Sequence, residues 1–306
     1  MNAMNTKKRI VVTNPLYDEV RRRLEAHAHV DMNESVEPWA PDVLATKLRS
    51  AHALMGFMTD SVDEALLAGA PELEIVACAL KGYDAYDVEA CTRHGVWLTI
   101  VPDLLTEPTA ELAVGLALSL ARHVKQGDAY VRRDTYTGWR AHLYGMGLRG
   151  STVAVLGAGR VGSAIIDRLQ GFECARILSV DATARHRAAE PAKLEAAMAA
   201  ADFVFVALPL TPSTRHLVDA AALAAGQLGG YAADVFECED WGVQDRPTEI
   251  PPMLLQQPNT LFTPHLGSAV RDVRLAIEHR TADSIIAVLN GEHPCDAINL
   301  PHPLAA

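Results

Sequence analysis

The stretch Val153-Ala-Val-Leu-Gly157-Ala-Gly159-Arg160-Val161-Gly162 sets three glycines at GxGxxG spacing directly behind an apolar run, with a helical pattern over 163–170 next in line. Each glycine answers a demand of phosphate binding. Gly157 permits a tight turn, Gly159 lets backbone amides approach a pyrophosphate at a helix N-terminus, and Gly162 allows the helix to pack close on the strand. The chemistry implied is dinucleotide binding. Asp181 follows the next apolar run, 176–180, at about the 20-residue distance at which a carboxylate accepts hydrogen bonds from the adenosine ribose hydroxyls. Its charge repels a 2′-phosphate, so NAD is expected over NADP, with Arg185 and Arg187 downstream to offset part of that repulsion. The blander alternative for Asp181 is a solvated acid in a strand-end loop.

The elements that must position these groups alternate between short β-branched runs and helix-period segments, the signature of parallel α/β units. Runs 9–13, 53–57, 74–79 and 97–101 read as strands separated by helices over 17–28, 41–49, 63–68 and 86–94, which makes one small doubly wound domain. Residues 102–108 carry two prolines and break the pattern; 109–133 then predicts a single long amphipathic helix with Glu111 in its first turn. The glycine-rich loop Tyr144-Gly-Met-Gly-Leu-Arg-Gly150 leads into strand 152–156, and a second α/β series continues through 176–180, 203–208 and 230–235. A helix over 270–289 closes the chain. No internal repeat, low-complexity tract or flexible linker is present.

A chain of 306 residues with 49% apolar content suffices for two cored domains, which removes the disordered and coiled-coil classes. With 27 Lys and Arg against 38 Asp and Glu, the formal charge of −11 argues against nucleic acid and anionic membrane partners. Any anionic ligand must meet a local cationic pocket. The five cysteines are scattered with no CxxC spacing, so buried, reduced thiols are expected rather than disulfides or a zinc site, and no metal site is expected. The N-terminal MNAMNTKKRIVVT lacks an apolar core for a signal, and the longest apolar run, 112–121, is too short to span a bilayer. A cytoplasmic protein is the expectation.

The order of parts, a small α/β domain, a linking helix, a GxGxxG domain, then Thr263-Pro-His265 and a return helix, resembles the D-2-hydroxyacid dehydrogenase family over nearly the whole chain. Within that family the likeness is closest to the phosphite (phosphonate) dehydrogenases. It is carried by Ala79-Leu-Lys81-Gly-Tyr-Asp84, by Gly95-Val-Trp-Leu-Thr-Ile-Val-Pro-Asp-Leu-Leu-Thr106, by Tyr231-Ala-Ala-Asp-Val-Phe-Glu-Cys-Glu239-Asp-Trp241, and by Thr263-Pro-His265-Leu-Gly-Ser-Ala-Val-Arg271-Asp-Val-Arg274.

The resemblance implies an α/β fold of two doubly wound, parallel-sheet, Rossmann-like domains with the active site in the interdomain cleft. Residues 1–108 plus 270–306 would form a flavodoxin-like substrate-binding domain and 109–269 the NAD-binding domain. It also implies that His265 is the catalytic histidine, that Glu239 orients it, and that Lys81 and Arg274 complete the catalytic set. Substrate binding would fall to Lys81, Arg274 and Met58, with Trp139 and Tyr144 at the pocket rim. Cofactor contacts would come from Gly157, Gly159, Arg160, Val161, Gly162, Asp181, Pro209, Asp234 and His265. The implied activity is NAD-dependent oxidation of phosphite to phosphate by a homodimer. The alternatives are a D-2-hydroxyacid dehydrogenase and a catalytically inactive NAD-binding or sensing protein.

These residue types suit that chemistry. Hydride leaves phosphorus for the nicotinamide while water or hydroxide attacks, so an anion must be held, a base supplied and bulk water excluded. Lys81 and Arg274 can hold the anion, and an imidazole of pKa about 6.5 beside a carboxylate suits proton transfer near neutrality. Without the resemblance, Lys81 reads as a surface lysine, Met58 as a gap-filling core side chain, and Arg271 and Arg274 as the solvated face of a helix.

One departure stands out. After strand 203–208 and Pro209 the family pattern requires a further strand ending in an Arg-Gly motif whose arginine binds the substrate's anionic group. Here 218–225 runs straight into Gly226-Gln-Leu-Gly-Gly230, so roughly 25 to 30 residues are absent. Removing an interior strand leaves ladder groups unpaired, a heavy loss for a domain stable by about 5–15 kcal/mol. Either the sequence omits residues of the real chain, or the chain is a truncated relative that retains dinucleotide binding.

Overall fold

The computed structural model describes residues 7–183, 185–209, 211, 213–215, 217, 228–239 and 246–301. The chain divides into two units: Met1–Leu105, Glu237–Thr248 and Arg271–Ala306 form the first, and Thr106–Phe236 with Glu249–Val270 the second. Both are parallel-sheet α/β structures of Rossmann-like, doubly wound design.

In the first unit, β1 (Arg9–Val12), β2 (His29–Met32), β3 (Ala53–Gly56), β4 (Ile75–Cys78) and β5 (Trp97–Thr99) form one sheet in the order β2-β1-β3-β4-β5, with every pairing parallel. Apart from edge strand β2, the strands read as near-continuous apolar runs because both faces are covered. Val11, Leu54, Val76 and Leu98 face α2 (Pro41–Leu48), α3 (Glu64–Ala68) and α4 (Val88–Arg93) through one buried cluster. Ile10, Val12, Met55, Ile75 and Ala77 point the other way, onto α1 (Asp18–His27) and the closing helix, which contributes Ile277, Ile285 and Val288. The strand order reverses between β1 and β3, which makes the carboxyl ends of those two strands the place where such sheets receive ligands.

In the second unit, β6 (Thr152–Leu156), β7 (Arg176–Val180), β8 (Glu190–Pro191) and β9 (Phe203–Val206) form a parallel sheet ordered β8-β7-β6-β9. A separate parallel pair joins β10 (Tyr231–Ala233) to β11 (Thr260–Phe262). Helices α5 (Thr106–Ala121), α6 (Val124–Val131), α7 (Arg160–Leu169), α8 (Leu194–Ala200) and α9 (Pro252–Leu255) lie in this unit, and α10 (Arg271–Leu289) returns the chain to the first. Buried Val153, Val155, Ile165, Ile166, Leu169 and Phe205 pack with Ala110 and Val114 of α5. Arg168 ties α7 to α5 through Glu107 at 2.7 Å and Glu111 at 3.1 Å.

Among the described residues no strand joins β9 to β10, and Val206 on β9 is exposed where its β6 neighbours are buried. The break falls in the interval where the sequence lacks a strand; 218–225 themselves lie outside the described residues.

Three expectations need correction. The single helix over 109–133 is two, because the Met146 amide donates to the Ala121 carbonyl at 3.0 Å and so takes the acceptor that a continuing helix would need. His123 then turns left-handed at φ 55°. Gly145 makes that approach possible, since a Cβ there would lie 2.0 Å from the same carbonyl oxygen. Strands β2 and β11 go beyond the sequence pattern: His29 and Asp31 dilute the apolar signal of one, and the other has three residues. Finally, the cysteines are not uniformly buried, for Cys78 and Cys91 are, while Cys295 is exposed.

Candidate active site

The glycine loop closes the carboxyl end of β6. Gly157 adopts φ +93°, and a Cβ on it would lie 2.6 Å from the Ala207 carbonyl oxygen, so both conformation and space demand glycine. A Cβ on Gly162 would fall 1.8 Å from the Gly157 carbonyl oxygen, which fixes the close seating of α7 on the loop. Gly159 differs from both. It caps α7 in an extended conformation, with no side chain capping the helix and nothing within 4 Å of a Cβ built on it. Arg160 beside it is exposed and Val161 half-buried.

Asp181 sits at the end of β7, where its Oδ2 accepts the Ala158 amide at 2.7 Å and its Oδ1 accepts the Thr183 amide at 2.8 Å. The carboxylate is therefore fixed against the loop rather than waving in solvent. Arg185 donates to the Asp181 carbonyl oxygen at 2.7 Å, a contact with the backbone. A helix N-terminus uncapped by any side chain, a glycine floor and a fixed acid one strand away fit a dinucleotide.

At the end of the β10–β11 pair lies the second feature of this unit. The Thr263 amide donates to Ala233 and the His265 amide to Asp234 (2.8 Å), so the ladder continues past the strands into the histidine turn. His265 is left-handed at φ 56° and exposed. Asp234 gathers this turn on its carboxylate, accepting from Thr263 Oγ1 at 2.5 Å, Leu266 N at 2.7 Å and Gly267 N at 2.8 Å. Sequence reasoning places Asp234 only as a cofactor contact; nothing in the residue pattern signals three donors arriving from a loop 29 to 33 residues away. Pro209, after β9, is exposed, and its carbonyl accepts Thr214 Oγ1 at 2.7 Å. Trp139 and Tyr144 stand out from this unit, each 79% exposed.

The first unit gathers Met58, Lys81 and Arg274 around the carboxyl ends of β3 and β4. Met58 is 43% exposed, which removes the gap-filling reading. The backbone before it is clamped from both sides: buried Asp60 accepts the Phe57 amide at 2.7 Å and the Thr13 hydroxyl, while Tyr86 donates to the Phe57 carbonyl at 2.8 Å. Burial pushes the Asp60 carboxyl above its ordinary value, with those two hydrogen bonds pulling back. Lys81 is exposed three residues beyond β4.

Arg274 is not a solvated helix face, unlike exposed Arg271. Its Nη1 donates to the Ala79 carbonyl at 3.4 Å and its guanidinium lies 6.0 Å from the Phe57 ring centre. A cavity of about 320 Å³ beside it is lined by Asn14, Tyr17, Phe57 and Glu278 as well. Burial lowers the Arg274 pKa and raises that of Glu278, each partly offset by the other's charge. Glu239 ends the turn Glu237–Glu239, is half-buried, and belongs to the first unit. Trp241 lies outside the described residues.

A sequence profile of the D-isomer specific 2-hydroxyacid dehydrogenase catalytic domain matches residues 10–299. Glyoxylate reductase from Thermococcus litoralis is 30% identical over 332 positions, taking in 96% of this chain and 97% of the relative. The glyoxylate reductase of Pyrococcus furiosus is 31% identical over 330 positions, 96% of each. Both alignments run longer than the 306 residues of this chain, so each relative carries residues with no counterpart here. Among solved structures, the TT0316 protein from Thermus thermophilus superposes with a TM-score of 0.86 at 29% identity, covering 95% of this chain and 99% of that one. With its glycine loop, its histidine turn and this likeness over almost its full length, the chain belongs to the D-isomer specific 2-hydroxyacid dehydrogenase family of oxidoreductases.

Proposed function

We propose that the protein is an NAD-dependent D-2-hydroxyacid dehydrogenase acting on a small 2-oxoacid of the glyoxylate class and its hydroxyacid. The observation that carries this reading is the His265 turn, an exposed imidazole-bearing residue pinned at the end of a strand pair, in a chain whose relatives are named glyoxylate reductases. The nicotinamide of NAD, when bound, gives or takes the hydride. Asp181 at the end of β7 supports NAD over NADP, because a 2′-phosphate would meet its fixed carboxylate.

In the reductive direction, hydride reaches the carbonyl carbon while His265 gives its proton to the carbonyl oxygen, yielding the hydroxyacid. An imidazole, ordinarily of pKa about 6.5, suits that exchange at neutral pH, and Glu239 orients the ring. Lys81 and Arg274 hold the substrate carboxylate in this overall acidic protein. Met58, Trp139 and Tyr144 supply apolar surface that keeps bulk water from the reacting atoms. A homodimer located in the cytoplasm completes the proposal. No helix among the described residues is long and apolar enough to cross a membrane.

A second reading, phosphite oxidation, is favoured by Lys81-Gly-Tyr-Asp84 and by the stretches 95–106, 231–241 and 263–274. In that reaction His265 takes a proton from the attacking water as hydride leaves phosphorus. The two are separated by following NADH consumption with glyoxylate, hydroxypyruvate and pyruvate, and NADH formation with phosphite, each repeated with NADP(H). Turnover of the oxoacids supports the first reading, and activity confined to phosphite overturns it for the second. Tight NADH binding with no turnover of any substrate overturns both and leaves a dinucleotide-sensing protein.

A further inference from the structure

The histidine turn poses a problem that local sequence does not solve. A non-glycine residue in the left-handed region costs on the order of 1 kcal/mol and persists only where its surroundings over-determine it. His265 holds φ 56°. Restraint comes from Asp234, one residue past β10: it accepts the His265 amide on its carbonyl, and the amides of Leu266 and Gly267 with the Thr263 hydroxyl on its carboxylate. Four donors, from four of the five residues 263–267, converge on one aspartate.

Gly267 makes the convergence possible. A Cβ there would lie 3.1 Å from Thr109 Oγ1 and 3.3 Å from Asp234 Oδ2, so a larger residue would press on the carboxylate and on α5. The backbone on either side of the imidazole is thus bonded to Asp234, at the end of β10.

We propose that Asp234 is a positioning residue: it holds the His265 backbone in its left-handed turn and so fixes where the imidazole points. This inference rests on the reading of His265 as the proton-transferring group. Asp234 acts through His265, and three of the roughly four acceptor sites of its carboxylate are occupied by the turn.

The test compares Asp234→Ala, Asp234→Asn and Thr263→Val. In the apoprotein, the His265 imidazole is followed by NMR with 13C-labelled histidine. A single sharp signal is expected in the wild type, several or exchange-broadened signals in Asp234→Ala, and a partial return to one signal in Asp234→Asn, whose amide oxygen still accepts. Thr263→Val, which removes one donor and keeps the charge, should shift the signal least.

In the enzyme assay, Asp234→Ala should lower kcat at least tenfold while the NADH dissociation constant, read by fluorescence, changes less than threefold. An unchanged histidine signal, or a loss confined to NADH affinity, overturns the proposal in favour of a cofactor contact alone. Should Asp234→Ala not fold, Asp234→Asn and Thr263→Val carry the same comparison. If the wild type turns over no substrate yet the NMR signals respond as described, the positioning role stands and the functional reading falls.

Discussion

Gly159 and Gly162 stand three residues apart in one loop, and alanine should damage them in opposite ways. A Cβ at Gly162 sits 1.8 Å from the Gly157 carbonyl oxygen and 2.9 Å from its carbon, both backbone atoms that no rotamer change can clear. A carbon needs on the order of 3.3 Å from such an oxygen, so the start of α7 must retreat by roughly 1.5 Å. That retreat loosens Ile165 and Ile166, which are buried against β6. Overpacking of this kind costs about 3 kcal/mol, which for a unit of this size lowers Tm by roughly 6–12 °C.

Gly159→Ala meets nothing within 4 Å and keeps an extended conformation open to any residue. Exchanging a glycine cap for alanine costs up to about 1 kcal/mol, so Tm should move by less than about 4 °C. Its methyl, however, projects from the backbone that the pyrophosphate must approach, and NADH affinity should fall roughly tenfold or more, about 1.4 kcal/mol. Differential scanning fluorimetry and NADH fluorescence titration on both variants decide the matter. Wild-type NADH affinity in Gly159→Ala would refute the placement of the dinucleotide, and a wild-type melt in Gly162→Ala would refute the packing argument.

Asp181→Ala should raise the NAD dissociation constant and narrow the preference over NADP, because the variant no longer repels a 2′-phosphate; equal discrimination before and after would count against the ribose assignment. Asp60 has a folded-state pKa above its unfolded value of about 3.9, so its protonated form is the one folding favours. Its stabilising contribution is complete below the unfolded value and is lost as pH rises through the folded one. Relative to wild type, Asp60→Asn should therefore fare better at pH 7.5 than at pH 4.5, and a Tm difference independent of pH would contradict this. Intact-mass spectrometry addresses the gap between β9 and β10. A mass above 33.0 kDa is expected if residues are missing from the sequence, whereas 33.0 kDa identifies a shortened relative.

The parts of this protein legible in its sequence are those where chemistry restricts the residue type. Phosphate approach demands Gly157, Gly159 and Gly162, and the ribose asks for an acid at the next strand end, which Asp181 meets with a side chain already fixed to the loop. The central strands β1, β3, β4 and β6 are legible for a related reason, since strands covered on two faces are apolar throughout. Edge strand β2 escapes because its half-exposed position tolerates His29 and Asp31. The division of the predicted long helix escapes because its cause, the Met146 amide, lies 25 residues away.

The same holds for the active-site candidates. His265 is singled out only through resemblance, because a histidine after Thr-Pro looks like any of the 12 in the chain. The left-handed turn that distinguishes it depends on hydrogen bonds to Asp234, which no spacing rule encodes. Arg274 and Glu278 are one helical turn apart, a spacing normally read as a surface pair. Only the fold reveals that they line a cavity at the carboxyl ends of β1 and β3.

In the proposed reaction, hydride passes directly between nicotinamide and a small acid. Incubating the enzyme with glyoxylate and NADH deuterated at the reactive C4 position, then weighing the glycolate by mass spectrometry, tests it most directly. Direct transfer yields glycolate carrying one deuterium on C2, with His265→Asn slowing its formation by about 10²–10⁴. Glycolate without deuterium, or no glycolate from a protein that binds NADH, would contradict it.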